Sequence, residues 1–232
     1  MKSISLVEPD ETGREVSSSA GVHLVHQKIY ETLRHKIMIG DFVPGRSVTI
    51  RGLAKDLGVS SMPVREAMRR LVSERALVMH PNRRVSLAHM TKERFEQIAQ
   101  ARLILEPQAA VNALPFIEDS LIEEIESVDQ QINQSLDAGV VTDYLKGNYR
   151  FHFLIYTAGG SDVLTPLIES LWLQFGPFMR MVFTAYGKVG AVDHHLEATQ
   201  ALRRRDSDAL RRAVAADIES GIASIQESDF AV

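Results

Sequence analysis

Residues 53–71 read LAKDLGVSSMPVREAMRRL. This stretch carries two short apolar stripes of helical period, Leu53-Ala54-Leu57 before Gly58 and Val64-Met68-Leu71 after it, with Val72 continuing the second. Helices this short and this close bury both stripes only by folding against each other across a tight turn. Thr49 is placed to cap the first helix, and Ser60 or Ser61 the second. Pro63 falls in a first turn, where no internal donor is lost. Upstream, Val22, Val25, Ile29, Leu33 and Ile37 predict a helix over 23–39 that stops at Gly40. DFVPGRSV then reads as a loop with a Pro44-Gly45 turn. Downstream the period changes: Leu77–Met79 and Val85–Leu87 read as strands around the turn His80-Pro81-Asn82-Arg83. A helix-turn-helix followed by a hairpin is a winged module, assigned to residues 21–88.

From Thr91 onward the pattern is helical, with helices expected near 91–112, 117–138, 142–158, 161–185, 190–204 and 206–227. Breaks are expected at Pro115, Gly139, Gly159-Gly160 and Gly187. Pro166 fits a first turn, whereas Pro177 should kink or split the fourth of these helices. The expected fold is mainly α: an N-terminal winged helix-turn-helix and a C-terminal all-helical bundle over 91–228. Residues 1–20 are polar and aperiodic and read as a disordered tail.

The chain has no cysteine, which excludes disulfides and thiolate metal sites. No apolar run approaches a membrane span, and no signal peptide is expected, so the reading is cytoplasmic with no membrane partner. The net charge of −4 hides a split. Residues 21–90 hold 12 Lys+Arg against 5 Asp+Glu, a balance of +7; residues 91–232 hold 12 against 21, a balance of −9. A basic segment on an acidic body suggests a polyanion-binding module attached to something else.

In a helix-turn-helix the second helix enters the major groove. Ser61, Met62, Arg65 and Arg69 lie opposite its apolar stripe, where arginine can read guanine or neutralise phosphate. Arg51, at the start of the first helix, is placed to reach backbone or base. Arg83 and Arg84 at the wing tip suit the minor groove or phosphate.

PGRSVTIRGLAKDLGVSSMPVREAMRRLVSERALV resembles the winged helix-turn-helix of the GntR family of bacterial transcription regulators. LGVS, PVREA and RLVSERALV carry the match, and the helical part looks like the FCD ligand-binding domain of the FadR-like branch. The resemblance implies that Arg51, Arg65 and the wing around His80–Arg84 contact DNA. With Ser60, Ser61, Met62, Arg69, Asn82, Arg83 and Arg84 these form the DNA-binding candidates. Ser61 and Met62 stand where the family commonly has arginine and threonine, so a different operator is implied. Arg84 stands where a wing glycine is frequent.

Polar residues interrupt the apolar stripes of the later helices. Asn148 and His152 share a face at i, i+4; His195 lies on a second stripe and Asp217 on the last helix. From the residues alone, these are either hydrogen-bonded core groups or a metal site, since imidazole and carboxylate suit zinc, nickel, manganese or iron. The resemblance implies a metal held by an Asp or Asn and three histidines. Asn148, His152 and His195 match, and Asp217 stands where the last histidine usually does. His194 reads as a surface or supporting neighbour. Arg102 lies on an apolar stripe and needs a partner: Glu106 one turn on, or the carboxylate of an effector. Tyr149, Tyr156 and Arg180 are further effector-binding candidates.

The expectation is a homodimeric, ligand-responsive transcription regulator, not an enzyme. It would repress from a near-palindromic DNA operator and sense a small organic acid at a divalent metal. Three alternatives remain open: a metal-free regulator sensing an acyl-CoA or other larger ligand, a constitutive DNA-binding dimer, and a metalloenzyme. The last lacks a nucleophile or general-base constellation.

Overall fold

The structure, a computed structural model, describes residues 19–82, 84–186 and 193–225. Arg83, residues 1–18 and the expected break at Gly187 lie outside the described residues.

Helix α1 (Ser19–Met38) takes in Ser19 and Ala20, which the sequence reading gives to the tail. It is followed by strand β1 (Val48–Thr49), helix α2 (Ile50–Leu57) and helix α3 (Ser61–Ser73). The Thr49 hydroxyl accepts the Gly52 amide at 3.0 Å, as expected of a cap. Gly58 closes α2 in the left-handed conformation (φ 67°), which a residue without a Cβ adopts at no steric cost. Ser60 holds the capping position of α3, but its side chain makes no capping bond. Leu33 and Ile37 of α1 meet Val64, Met68 and Leu71 of α3 in a core from which water is excluded.

Strands β2 (Leu77–Met79) and β3 (Arg84–Leu87) form the expected hairpin. The sheet has a third strand, in the order β1-β3-β2, with Val48 opposite Val85. The sequence reading places Val48 at the end of a loop and Thr49 as a cap, with no strand there. Two residues give no alternation to detect, and the pairing arises because β3 offers a free edge.

The helical part contains α4 (Lys92–Ala113), α5 (Asp119–Asp137), α6 (Val141–Ala158), α7 (Leu164–Phe175), α8 (Met179–Tyr186), α9 (His194–Arg204) and α10 (Ser207–Ala223). The helix expected over 161–185 is therefore two. It starts at Leu164, whose amide donates to the Ser161 hydroxyl at 2.9 Å, and it breaks at a 3-10 turn over Gly176–Phe178. Pro177 cannot continue the helical ladder, which is the physical reason for the split. Helix α4 is central, packing on α6, α7 and α10, while α5 lies against α6 and α9.

Helix α1 joins the two parts, packing on α3 on one side and α7 on the other. Arg34 of α1 pairs with Glu169 of α7 at 2.8 Å. The joint is tightest at Gly176, where an added Cβ would fall inside the Met38 carbonyl.

Candidate functional site

The outer face of α3 follows from its inner one. Val64, Met68 and Leu71 are held in the core, which turns Met62, Arg65, Glu66 and Arg69 to solvent. Met62 is 63% exposed. Arg65 and Arg51 are exposed and have no ion-pair partner among the described residues. Arg69 pairs with Glu66 at 3.0 Å, and Ser60 and Ser61 sit at the exposed start of α3. The wing candidates have structural bonds of their own. Arg84 Nε donates to the Ser47 hydroxyl at 2.7 Å, Asn82 Oδ1 accepts the Arg84 amide at 3.0 Å, and His80 Nε2 meets the Ser86 hydroxyl at 2.8 Å.

The second cluster is buried between α6, α9 and α10. His152 of α6 and His195 of α9 face Asp217 of α10: His152 Nε2 lies 3.2 Å from Oδ2, and His195 Nε2 lies 3.5 Å from Oδ1. Ligand atoms of the three fall within 4.8 Å of one another. Asn148 is buried one turn before His152 on α6. Behind His195, its Nδ1 meets Asp129 Oδ1 of α5 at 3.2 Å. Behind His152, its Nδ1 meets the Tyr156 hydroxyl at 3.1 Å, and that hydroxyl donates to Glu106 Oε2 at 3.0 Å. Glu106 also accepts from Arg102 Nε at 2.6 Å, from Arg102 Nη2 at 3.2 Å and from the Trp172 indole at 3.1 Å. A carboxylate with no exposed surface is thus satisfied by four donors, as a buried charge requires.

The charges tune each other. Burial alone would raise the Asp217 carboxyl, but the His195 and His152 imidazoles, with Arg102 beyond, hold it well below the usual carboxylate range. Burial alone would lower the His195 imidazole, but the Asp217 and Asp129 carboxylates raise it. Burial, then Glu106, pushes the Tyr156 phenol well up, so it stays a hydrogen-bond donor.

Residues 25–86 match the bacterial regulatory proteins of the gntR family, and residues 97–220 match the FCD domain. The chain belongs to the GntR family, in its FadR-like branch with an FCD domain. It is similar to the HTH-type transcriptional regulator McbR of Escherichia coli K12, 27% identical over 204 residues, or 86% of this chain and 92% of that one. It is also similar to the HTH-type transcriptional repressor RspR of the same organism, at 24% identity over 88% of this chain and 90% of the relative. The solved structure of E. coli McbR/YncC superposes with a TM-score of 0.78 at 26% identity, covering 86% of this chain and 95% of that one. A GntR regulator from Rhodococcus sp. RHA1 shares the fold, with a TM-score of 0.68 at 21% identity over 86% of this chain and 96% of that one. This GntR protein is therefore a transcription regulator and not an enzyme, with a DNA-binding module and an effector-binding FCD domain. Among the described residues no helix is long and apolar enough to cross a membrane.

Within the GntR–FCD frame, the structure gathers His152, His195, Asp217 and Tyr156 into one cluster, with Arg102 one residue removed through Glu106. Tyr149 stands apart: its ring meets His35 of α1 edge-on at 5.2 Å and Trp172 at 5.8 Å, bridging the two modules. Arg180 Nη2 donates to the Gly40 carbonyl at 3.3 Å, also across the joint between modules. His194 is mostly buried, between Glu197 at 2.8 Å and the Ser220 hydroxyl at 2.9 Å. Sequence reasoning missed Asp129 and Trp172. The signal for Asp129 was present: a carboxylate between Ile125 and Ile132 on an otherwise apolar stripe.

Proposed function

We propose that this regulator is a homodimeric, cytoplasmic repressor that binds a near-palindromic operator and releases it in response to a small organic acid sensed at a divalent metal. The observation that carries the DNA half is the exposed face of α3, where Arg65, without an ion-pair partner among the described residues, stands beside apolar Met62, with Arg51 at the start of α2. Arg65 suits a guanine edge and Met62 a thymine methyl. Arg51 and the wing residues Arg83 and Arg84 suit phosphate, while Ser60, Ser61, Arg69, His80 and Asn82 line the same approach. A two-fold dimer would set two such faces about one helical turn of DNA apart.

The residues of the buried cluster fit a metal. His195 Nε2 is buried, makes no hydrogen bond, and faces a carboxylate and a second imidazole. His152, His195 and Asp217 would hold the ion, with Asn148 as the fourth ligand. This set suits zinc, nickel, manganese or iron. When bound, the cation supplies positions at which an effector carboxylate can coordinate. Arg102, committed to Glu106 at 2.6 Å, would contact an effector only if Glu106 yields.

A path to DNA runs through α7. Its Trp172 donates to Glu106 beside the cluster, and its Glu169 holds Arg34 of α1. An effector that favours one placement of α7 would shift α1 and the α3 it carries.

The test has two parts. Elemental mass spectrometry of the purified protein should find about one metal per subunit, lost in a His152→Ala/His195→Ala double variant. Binding to an operator obtained by selection should weaken when small carboxylates are added to the metal-loaded form only. Absence of metal after resupply with zinc or manganese would remove the sensor half. Operator affinity that ignores salt would remove the DNA half, because phosphate contacts release counterions.

A further inference from the structure

The two nitrogens of His195 have different surroundings. Nδ1 lies 3.2 Å from Asp129 Oδ1, and both side chains are only 10% exposed. Nε2 is buried without a hydrogen bond. The ring itself is clamped: it stacks on Phe151 with centroids 4.0 Å apart and planes 23° from parallel. The stack fixes the plane of the ring, and the Asp129 contact sets which edge faces α5. A carboxylate can only accept, so the proton shared with Asp129 sits on Nδ1. In the neutral ring the lone pair of Nε2 then points at Asp217 Oδ1, 3.5 Å away, and toward His152. Acceptors facing one another at this range repel unless a proton or a metal ion lies between them. Asp129 and Asp217 together carry the two negative charges that balance a divalent ion inside a buried site.

We infer that Asp129 is a positioning residue that fixes His195 as the Nδ1–H tautomer and so presents an unprotonated Nε2 to the metal. It acts through His195 and does not itself touch the ion. This inference rests on the metal reading above, and its test separates the two. A carboxylate behind a ligating histidine orients the ring and raises its basicity, and its loss typically costs 10–100-fold in metal affinity. The sequence gives Asp129 no motif; it is the meeting of α5 with α9 that puts it behind His195.

The experiment uses the full chain in three forms: wild type, Asp129→Ala and Asp129→Asn. Zinc affinity is measured by competition with a chromophoric chelator. Imidazole tautomers are read from long-range ¹H–¹⁵N spectra, on zinc-loaded protein and on chelated protein at about pH 9, above the usual imidazole range. Expected is an Nδ1–H signature for His195 in wild type and, in the chelated protein where no metal occupies Nε2, its loss in Asp129→Ala. Zinc affinity should fall about 10–100-fold in Asp129→Ala. It should recover in part in Asp129→Asn, whose amide oxygen still accepts. Circular dichroism confirms that the variants fold, and the wild-type spectrum needs no variant at all. Tight zinc binding with affinity and tautomer unchanged in Asp129→Ala would overturn the inference and leave the metal reading standing. If wild type takes up no zinc, the metal reading fails. The spectra of the chelated protein then decide the tautomer alone: an Nε2–H signature in wild type overturns the assignment, and an Nδ1–H signature lost in Asp129→Ala upholds it.

Discussion

The outer face of α3 and the buried cluster of the FCD domain both concentrate polar side chains, but they treat them in opposite ways. On α3 the core-facing stripe is complete, and Arg65 has no ion-pair partner among the described residues while Met62 is exposed beside it. In the cluster nearly every polar atom is spoken for: Glu106 alone takes four donors, while His195 Nε2, 3.5 Å from Asp217 Oδ1, makes no hydrogen bond among the described residues. Exposed, unpaired charge costs the fold little and is free for a polyanion. Buried charge is tolerated only when matched, so a single unmatched atom marks where something else belongs. Function and stability should therefore come apart on α3 and stay entangled in the cluster.

The largest effect should come from Glu106→Ala, which leaves Arg102 charged and buried without its partner. It should destabilise the FCD domain by about 3–5 kcal/mol in urea unfolding. A loss below about 1 kcal/mol would show that water reaches Arg102 and that the two regions are less distinct than described. Next is Arg65→Ala, expected to weaken operator binding by about 1–3 kcal/mol and blur sequence preference, while thermal stability stays within about 0.5 kcal/mol. A large stability loss there would break the separation. Thr49→Ala removes the cap of α2 and should cost about 1 kcal/mol of stability, with operator affinity following only through folding. The smallest effect tests Met62. If Met62 meets a thymine methyl, replacing that thymine by uracil should cost wild type about 0.8 kcal/mol, roughly fourfold in affinity. Met62→Ala should be indifferent to that exchange in a filter-binding comparison, and equal sensitivity in both proteins would place the methyl contact elsewhere.

Periodicity made the helices and the hairpin legible because each buries one face and repeats. The strand Val48–Thr49 was not, because it is defined by its partner Val85 rather than by its own pattern. The split at Pro177 was foreseen as a kink or break, and its extent depended on how α7 and α8 pack. In the cluster, His152, His195 and Asp217 were visible as polar interruptions on three stripes, and Arg102 with Glu106 as a pair on one helix. Asp129 and Trp172 were not, although Asp129 interrupts its stripe in the same way. Their roles depend on which helices become neighbours, α5 with α9 and α7 with α4, and that is a property of the assembled bundle.

The contact between Gly176 and the Met38 carbonyl brings backbone against backbone, with no side chain between to bend or repack. A joint of that kind behaves like metal gearing rather than a rubber mount. Whatever displacement reaches the end of α7 arrives at the end of α1 undamped, and a single methyl added at Gly176 would jam the two together or force them apart.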